Sequence, residues 1–422
     1  MMGAINRLCA KFIYSYNYIE FMRRLWACIV VILLFIHIAP SNDAKFSLND
    51  ILYVGGSGEG NYTTIQAAIN DAKDGDTIFV YSGTYYENLV VSKSITLMGE
   101  NKETTIIDGE RKGNVIYITA NRVEISGFTI THSGWEDNEA GIGIINADYC
   151  EIFDCIISEN NRGIYGIRAH HNMIRDSIIS DAERLSNIAF YYSSYNHLRN
   201  LTVLRANWTG IFFTNGQHNK VENCLVKDCG YYGVGIDYSQ YCTVSNCTME
   251  NAAAGIKLYK THDSEFYNNT ITKSKGSGVT LYYSKGNNFS WCEMEENTYN
   301  GIYMKECENN VVEKCMLQNN NICGIYIELA TGSNTVRMCD IKGNHQLGVY
   351  LKRCSAITLV NYNNIYNNGW GLWANVSSCD ARYNYWGTIF GPLTFGLLGD
   401  GIGWDGGAKV SFFPWQLFEI EW

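Results

Sequence analysis

A short pattern, a glycine followed by an aliphatic residue, recurs along this chain at a regular spacing that constrains the fold more than any other feature. The eleven copies lie 22 to 24 residues apart, with asparagine replacing glycine once, and begin at Gly141, Gly163, Asn187, Gly210, Gly233, Gly255, Gly278, Gly301, Gly324, Gly348 and Gly371. A fixed period in the twenties is typical of solenoids and leaves two candidates, a leucine-rich repeat or a β-helix.

The residues within each period favour the β-helix. Segments 301–304 (Gly-Ile-Tyr-Met) and 324–327 (Gly-Ile-Tyr-Ile) alternate apolar and polar positions, as strands with one buried face do. No helix-length amphipathic segment lies between the copies, and the leucine-asparagine signature of leucine-rich repeats is missing. We therefore predict an all-β chain folded as a single-stranded right-handed parallel β-helix with about 22–24 residues per coil.

The scarcity of proline and the negative charge agree with this fold and narrow the function. Only three prolines occur, at positions 40, 392 and 414, so about 350 consecutive residues can each donate a backbone N–H to a neighbouring strand. The formal net charge of −10 argues against nucleic acid as a partner, because a surface that follows phosphates must be basic.

The N-terminus has the features of an export signal. Residues 25–39 are mostly apolar and follow Arg23 and Arg24, a run shorter than a membrane span requires. Met22 is a plausible true start, so residues 1–44 are predicted to be a signal peptide with small exit residues at Ala39 and Ala44. The competing interpretation is an uncleaved anchor that would hold the protein on a membrane through residues 25–39. Both place the protein outside the cell or on its surface.

Six cysteines share one position of the coil: Cys155, Cys224, Cys247, Cys292, Cys315 and Cys339. Each precedes an inward-facing apolar residue by two positions, so each should also face the core. We therefore predict a structural ladder of small buried thiols. Disulfides between adjacent coils or a track for a soft metal remain the alternatives.

A second column of small polar residues, mostly asparagines, runs beside the cysteines and is expected to stabilise a turn. Its members stand five residues before the thiol position: Cys150, Asn172, Asn196, Asn219, Cys242, Ser264, Asn287, Asn310 and Asn334. Stacked amides at a turn can hydrogen-bond along the solenoid axis and satisfy corner carbonyls.

The beginning and end of the chain resemble known families. Residues 62–69 (Tyr-Thr-Thr-Ile-Gln-Ala-Ala-Ile), 83–88 (Gly-Thr-Tyr-Tyr-Glu-Asn) and 95–99 (Ile-Thr-Leu-Met-Gly) are similar to the opening of pectin-lyase-fold proteins. That resemblance implies a short N-terminal helix that caps the first coil. The repeats resemble the NosD-type β-helix and the carbohydrate-binding and sugar-hydrolase repeat group, and the segment 380–387 is similar to the end of archaeal surface proteins of this kind.

The resemblance predicts the fold but not an activity. The opening Gly83-Thr84-Tyr85-Tyr86-Glu87 is similar to that of pectin methylesterases, yet the motifs that carry their paired aspartates are missing, as are the motifs of polygalacturonases and mannuronan epimerases. A copper site, which the NosD resemblance implies, is not expected. His170 and His171 are adjacent, but the same turn carries its next histidine, His218, two coils later, about 10 Å away. The sequence therefore identifies no cofactor with certainty.

An outward aromatic face is the best candidate site. The second and fourth residues after each repeated glycine should point away from the core. Late in the solenoid they form an aromatic ladder, Tyr303, Tyr326, Tyr350 and Trp373, flanked by Lys305, Glu328 and Lys352. Such a face suits an extended saccharide if the rings are exposed, roughly coplanar and one coil apart. The alternative is structural, since aromatic residues are common on half-exposed sheets.

Two other places could bind or react. Glu136, Asp137 and Glu139 form an acidic excursion whose oxygens could bind calcium, or they form a plain solvated loop. Asp237 lies near the outward strand and could act as an acid, but glycoside hydrolysis generally needs a second carboxylate that the sequence does not identify.

The sequence therefore predicts four segments and three candidate functions. The segments are residues 1–44, an N-terminal cap with the first coils at 45–135, regular coils at 136–379, and an aromatic C-terminal cap at 380–422. The leading function is that of an exported, non-catalytic β-helix that binds polysaccharide or forms part of a surface layer. The alternatives are a divergent polysaccharide lyase or glycoside hydrolase, and a NosD-like accessory protein for copper-centre maturation.

Overall fold

The computed structural model describes residues 50–392 and 400–422, so the predicted signal peptide lies outside the described residues. The described chain is a right-handed parallel β-helix, as predicted. Each regular coil contributes one strand in turn to sheet C, sheet A and sheet B, which have 14, 16 and 13 strands. Among the described residues, no helix has the length and hydrophobicity that a membrane-spanning helix requires.

The strands are short and each sheet runs parallel to the solenoid axis. Sheet A consists of Ile51–Val54, Thr77–Val80, Thr96–Gly99, Glu124–Ser126, Glu151–Phe153, Met173–Arg175, His197–Arg199, Lys220–Glu222, Thr243–Ser245, Glu265–Tyr267, Asn288–Ser290, Val311–Glu313, Thr335–Arg337, Thr358–Asn361, Cys379–Asp380 and Val410–Ser411. Sheet B consists of Gly83–Tyr86, Thr105–Asp108, Thr129–Thr131, Ile156–Ser158, Ile178–Ser180, Thr202–Leu204, Leu225–Lys227, Thr248–Glu250, Thr270–Thr272, Glu293–Glu295, Met316–Gln318, Asp340–Lys342 and Asn364–Tyr366. Sheet C consists of Leu89–Val91, Ile116–Ile118, Ile142–Ile145, Ile164–Ile167, Ile188–Tyr191, Ile211–Thr214, Tyr232–Asp237, Ala254–Tyr259, Val279–Tyr282, Ile302–Lys305, Cys323–Glu328, Leu347–Lys352, Trp370–Asn375 and Ile402–Asp405.

The repeated glycine-aliphatic pattern forms sheet C, and its alternation places one set of side chains in the core. Ile302 and Met304 are buried, whereas Tyr303 and Lys305 between and after them are half-buried on the outer surface. In sheets A and B, the middle residue of a three-residue strand points into the core, as Phe289 does. The ring of Phe289 stacks on that of Phe266, one coil away, with the ring centroids 4.6 Å apart. The core is therefore a set of parallel columns of like side chains.

The cysteine ladder occupies the corner between sheets A and B. All six predicted thiols are buried, and all thirteen cysteines in the described residues are free. Each of the six donates to the carbonyl two residues before it, as Cys247 does to Ser245 at 3.1 Å. Burial raises the pKa of the Cys155 thiol to about 12. The six thiols therefore satisfy corner carbonyls, and burial keeps the Cys155 thiol protonated near neutral pH.

The predicted asparagine column lies at the corner between sheets C and A and bonds from coil to coil. The amide oxygen of Asn310 accepts from both the backbone N–H and the side-chain amide of Asn287, each at 3.0 Å. A second column, at the corner between sheets B and C, uses the same bonds at 2.9–3.2 Å and consists of Asn297, Asn320, Asn344 and Asn368. This second column was not predicted from the sequence.

One short helix, Ile65–Asp71, precedes the regular coils of the described chain. Ile65, Ala68 and Ile69 are buried, and the helix packs against the first strands of sheets A and C. The carboxylate of Glu87 accepts from the N–H groups of Ile65 and Gln66, at 2.8 and 2.9 Å. The glutamate of the Gly-Thr-Tyr-Tyr-Glu opening therefore satisfies the helix N-terminus. That this helix is the predicted end cap stays a prediction.

Asp400 ends the second asparagine column. Its carboxylate accepts from the side-chain amide of Asn368 at 2.7 Å. Burial raises the pKa of Asp400 to about 6, although the hydrogen bonds from Asn368 and the backbone act in the opposite direction. The folded pKa thus lies above the ordinary value of about 3.9. The stability that this shift contributes is complete below about pH 4 and is lost as the pH rises through about 6.

Replacing Asp400 by Asn should remove this pH-dependent loss. The amide keeps an oxygen acceptor for Asn368 but carries no buried charge. We expect the D400N variant to match the wild type at about pH 4 and to have a larger free energy of unfolding at pH 7, by about 1–3 kcal/mol. Urea unfolding at the two pH values measures this. Asp263→Asn, at an exposed corner, is the control, and equal pH dependence in D400N and the wild type would contradict the prediction.

Candidate functional site

The four aromatic residues of the predicted ladder lie in register on the outer face of sheet C. Tyr303 pairs with Tyr326, Tyr326 with Tyr350, and Tyr350 with Trp373 on successive strands. The ladder is therefore spaced by one coil, as the sequence predicts.

The rings do not form the exposed, coplanar platform that was expected. Tyr326 and Tyr350 stack with centroids 4.8 Å apart and planes at 28°, and Tyr303 is tilted on Tyr326 at 5.1 Å. All four residues are half-buried. Strands in a sheet are about 4.8 Å apart, so rings in register pack on one another. The two stacked tyrosines turn their faces toward each other, which leaves ring edges toward the outside.

The predicted charged residues form a hydrogen-bonded set on the same face. The carboxylate of Glu328 accepts from the Tyr303 hydroxyl at 2.9 Å and pairs with Lys352 at 3.3 Å. Burial opposes ionisation, but these two partners hold the pKa of Glu328 below its usual value. Lys305 pairs with Glu328 in strand register. The face is therefore preorganised by its own polar groups.

Two cavities extend along this face on either side of the tyrosine stack. The first, of about 570 Å³, includes Tyr303 and Tyr326, and the second, of about 620 Å³, includes Tyr350 and Trp373. Because Tyr326 stacks on Tyr350, the two cavities follow one another along the solenoid axis.

Several lining residues were not predicted from the sequence. Tyr231, Tyr299 and Asn300 in the first cavity and His345 and Gln346 in the second come from the corner between sheets B and C, and Trp370 in the second is the first residue of its sheet C strand. Tyr231 and Tyr299 are exposed, at 51% and 53%. The sequence contains a pattern that could have indicated the aromatic residues among them, because each stands one or two positions before a repeated glycine.

An ion pair lies upstream on sheet C. Lys257 contacts the Asp237 carboxylate at 2.6 Å, and both side chains are largely buried. Burial raises the pKa of Asp237, although Lys257 partly offsets it. The ammonium also lies over the rings of Tyr232 and Tyr259, at 5.6 and 4.9 Å. Among the residues that the structure describes, no second carboxylate, which hydrolysis would need, contacts this pair.

The predicted metal-binding residues are not brought together. The Glu139 carboxylate accepts from the backbone N–H of Glu136 at 2.8 Å, so it closes the loop that contains Asp137. Throughout residues 50–392 and 400–422, no three His, Cys, Asp or Glu side chains form a group that could hold a metal ion. Calcium at this loop therefore gains no support from the geometry.

The corner histidines take part in an aromatic stack. His171 lies between Tyr149 and Tyr195, at 4.8 Å from each, and His218 follows between Tyr195 and Tyr241. A tyrosine thus separates the two imidazoles, so they do not share one ion.

The coil geometry agrees with a known family. The family model described as right handed beta helix region matches residues 36–235, 114–270, 186–337 and 232–385, which together span most of the chain. The chain belongs to the right-handed beta helix family. No curated protein matches this family member significantly.

Several solved structures share the β-helix fold. The A-module of the Azotobacter vinelandii mannuronan C-5 epimerase AlgE6 is 14% identical, with 85% of this chain and 95% of the module covered and a TM-score of 0.50. The Dettilon tailspike protein gp208 is 14% identical, with 71% and 68% covered and a TM-score of 0.57. The N-terminal fragment of bacteriophage phi29 gene product 12 is 12% identical, with 84% and 70% covered and a TM-score of 0.59. At these identities the likeness concerns the fold alone.

Proposed function

We propose that this protein is an exported or cell-surface β-helix that binds a polysaccharide chain along the outer face of sheet C. The observation that carries the proposal is the pair of consecutive aromatic cavities, of about 570 and 620 Å³, that follow the solenoid axis. Successive coils repeat the same positions, so a polymer of repeating units meets the same kind of contact several times.

The chemistry of the lining suits sugars. The exposed ring of Tyr299 and the half-buried ring of Trp370 offer surfaces for the C–H groups of a pyranose ring. Gln346 adds an amide group for sugar hydroxyls. The carboxylate of Glu328 is already engaged with Tyr303 and Lys352, so this face attracts a ligand through stacking and hydrogen bonding.

Two further observations support the proposal. The apolar run at residues 25–39 behind two arginines is what export would need. Sequons at residues 61, 200, 207, 246, 268, 288 and 375 fit an external location. Among proteins of the same fold, the AlgE6 module is by name an epimerase that acts on mannuronan.

The proposal is tested by removing one aromatic ring from each cavity. We expect the double variant Tyr299→Ala/Trp370→Ala to lose affinity for the polysaccharide that the wild type retains on a glycan array. Each stacked ring should contribute about 1–3 kcal/mol, by analogy with other ring-stacking surfaces, which is about 5- to 150-fold in the dissociation constant per ring. Biolayer interferometry on the immobilised polysaccharide measures the change.

Tyr86→Ala is the matched control. Tyr86 is 63% exposed, but it lies at the end of a sheet B strand, away from sheet C. Its loss should leave binding unchanged. If the double variant binds as the wild type does while both keep the same unfolding midpoint, the aromatic face is structural and the proposed function is wrong.

A second candidate function is a polysaccharide lyase or glycoside hydrolase centred on Asp237. The buried Asp237–Lys257 pair beside Tyr232 and Tyr259 favours it, because perturbed acids in a cleft are common in active sites. Incubation with the bound polysaccharide should then release reducing ends or unsaturated products, and Asp237→Asn should abolish the release. If the polysaccharide stays intact after long incubation with the wild type, the enzymatic function is wrong and binding is the function that remains.

A further inference from the structure

A separate groove lies at the corner between sheets C and A, on the other side of the ridge formed by Tyr238, Tyr259 and Lys260. It has a volume of about 580 Å³ and is lined by Ser194, Asn215, Gly216, Gln217, Tyr238, Ser239, Gln240, Lys260 and His262. None of these residues lines the two aromatic cavities of sheet C. The corner groove is therefore a distinct surface.

Its floor is a column of polar side chains that repeats once per coil. Gln217 pairs with Gln240, and Gln240 with His262, through isolated parallel bridges that continue to Lys285 and Glu308. The column therefore follows the solenoid axis, and its residues advance by about 4.8 Å per coil. The groove accordingly favours an extended, repeating ligand.

The floor keeps hydrogen-bonding capacity for such a ligand. The Gln240 amide nitrogen donates to the Gln217 amide oxygen at 3.2 Å. Within the described residues this leaves the Gln217 nitrogen and the Gln240 oxygen without a partner. The Ser194 hydroxyl oxygen accepts from the Gln217 N–H at 3.1 Å, and its own hydrogen is not used. The floor thus presents both donors and acceptors, which are the groups that sugar hydroxyls match.

The groove carries a single charged side chain. Lys260 is exposed, and its ammonium lies over the rings of Tyr238 and Tyr259 at 5.2 and 5.5 Å. Burial lowers the pKa of His262, so its ring is neutral at neutral pH. The column carries further charge only beyond the groove, at Lys285 and Glu308. Apart from Lys260, the lining therefore offers uncharged polar groups, which match the hydroxyl groups of a neutral chain.

Aromatic rings border this polar floor. Tyr238, which is 50% exposed, forms part of the lining, and its ring packs edge to face against Tyr259 at 5.2 Å. Tyr238 thus combines a fixed position with an exposed ring surface. We propose that the corner groove is a second saccharide-binding site, for a neutral, hydroxyl-rich chain that lies along the solenoid axis.

The test separates this site from the sheet C site. In the full chain carrying Tyr299→Ala and Trp370→Ala, a panel of neutral hexasaccharides (cellohexaose, laminarihexaose and maltohexaose) is titrated by calorimetry. We expect at least one to bind, and the further changes Gln217→Ala and Gln240→Ala to weaken that binding about tenfold, as the loss of two amide contacts implies.

Glu308→Ala is the control, because Glu308 belongs to the same column outside the groove, and its loss should change the affinity by less than about twofold. The proposal is overturned if no neutral hexasaccharide binds in this background or if the glutamine changes have no effect. A failure of the proposed function gives a different result, since Tyr299→Ala and Trp370→Ala then leave wild-type binding unchanged while the glutamine changes still act.

Discussion

Replacing Trp386 by Ala should destabilise the C-terminal end of the solenoid by about 3–5 kcal/mol, the usual effect of removing a large buried aromatic residue. Trp386 is fully buried, and its ring packs so closely on Gly371 that a β-carbon there would lie 3.0 Å from it. The tail that contains Trp386 also completes the sheets, with Val410–Ser411 on sheet A and Ile402–Asp405 on sheet C. Loss of the ring should loosen this cover and expose unpaired strand edges.

Unfolding in urea followed by circular dichroism measures the stability, and light scattering measures association of the exposed ends. Trp386→Phe should cost much less than Trp386→Ala, because it keeps most of the ring and removes an N–H that has no hydrogen-bond partner among the described residues. Phe418→Ala, at a position 74% exposed, is the control and should change stability by about 0.5 kcal/mol or less. If Trp386→Ala and this control have the same urea unfolding midpoint, the tail contributes little to the stability of the solenoid.

Replacing Asn320 by Ala should lower the free energy of unfolding by a similar amount, about 3–5 kcal/mol. Several buried groups then lose hydrogen-bond partners, and each loss costs about 1–3 kcal/mol. The Asn320 amide oxygen accepts from the backbone and side chain of Asn297, at 3.2 and 2.9 Å. Its nitrogen donates to Met294 O and to the Asn344 side chain, both at 3.0 Å. No water can replace these bonds without entering a fully buried corner.

Asn321→Ala provides a sharp comparison, since the neighbouring asparagine is exposed. We expect its free energy of unfolding to stay within about 0.5 kcal/mol of the wild type. Hydrogen exchange should locate the Asn320→Ala effect in the coils that contain Asn297 and Asn344, because a solenoid transmits stability mainly between neighbouring coils. A uniform small effect of both variants would contradict a structural role for this column.

The fold could be predicted because the repeat of 22 to 24 residues determines both which residues pair on neighbouring strands and which side chains are buried. The spacing of the repeated glycines defined the coil, and the two-residue alternation at Ile302, Tyr303 and Met304 defined which side chains face the core. The inward direction of the cysteines followed from the same alternation. These predictions needed only local rules, since each strand meets an equivalent strand one period away.

The candidate site could be predicted only in part. The ladder of Tyr303, Tyr326, Tyr350 and Trp373 has the predicted register, but the aromatic residues that widen it lie before the repeated glycines. Tyr299 is in the corner between sheets B and C, and Trp370 is the first residue of its sheet C strand. Their position depends on the path of the loop between sheets B and C, which no alternation rule describes.

The sequence by itself determined the solenoid, the length of its coil, the buried cysteine column and the first asparagine column, because a repeat in register reproduces the same backbone hydrogen bonds and the same core contacts in every coil. Only the tertiary structure decided how side chains from different coils meet. It stacked Tyr326 on Tyr350, paired Asp237 with Lys257 and joined Gln217 to Gln240. The strand spacing of about 4.8 Å brings residues some 23 positions apart into contact, and ring tilt, ion pairing and hydrogen bonding then depend on rotamers that the period leaves free.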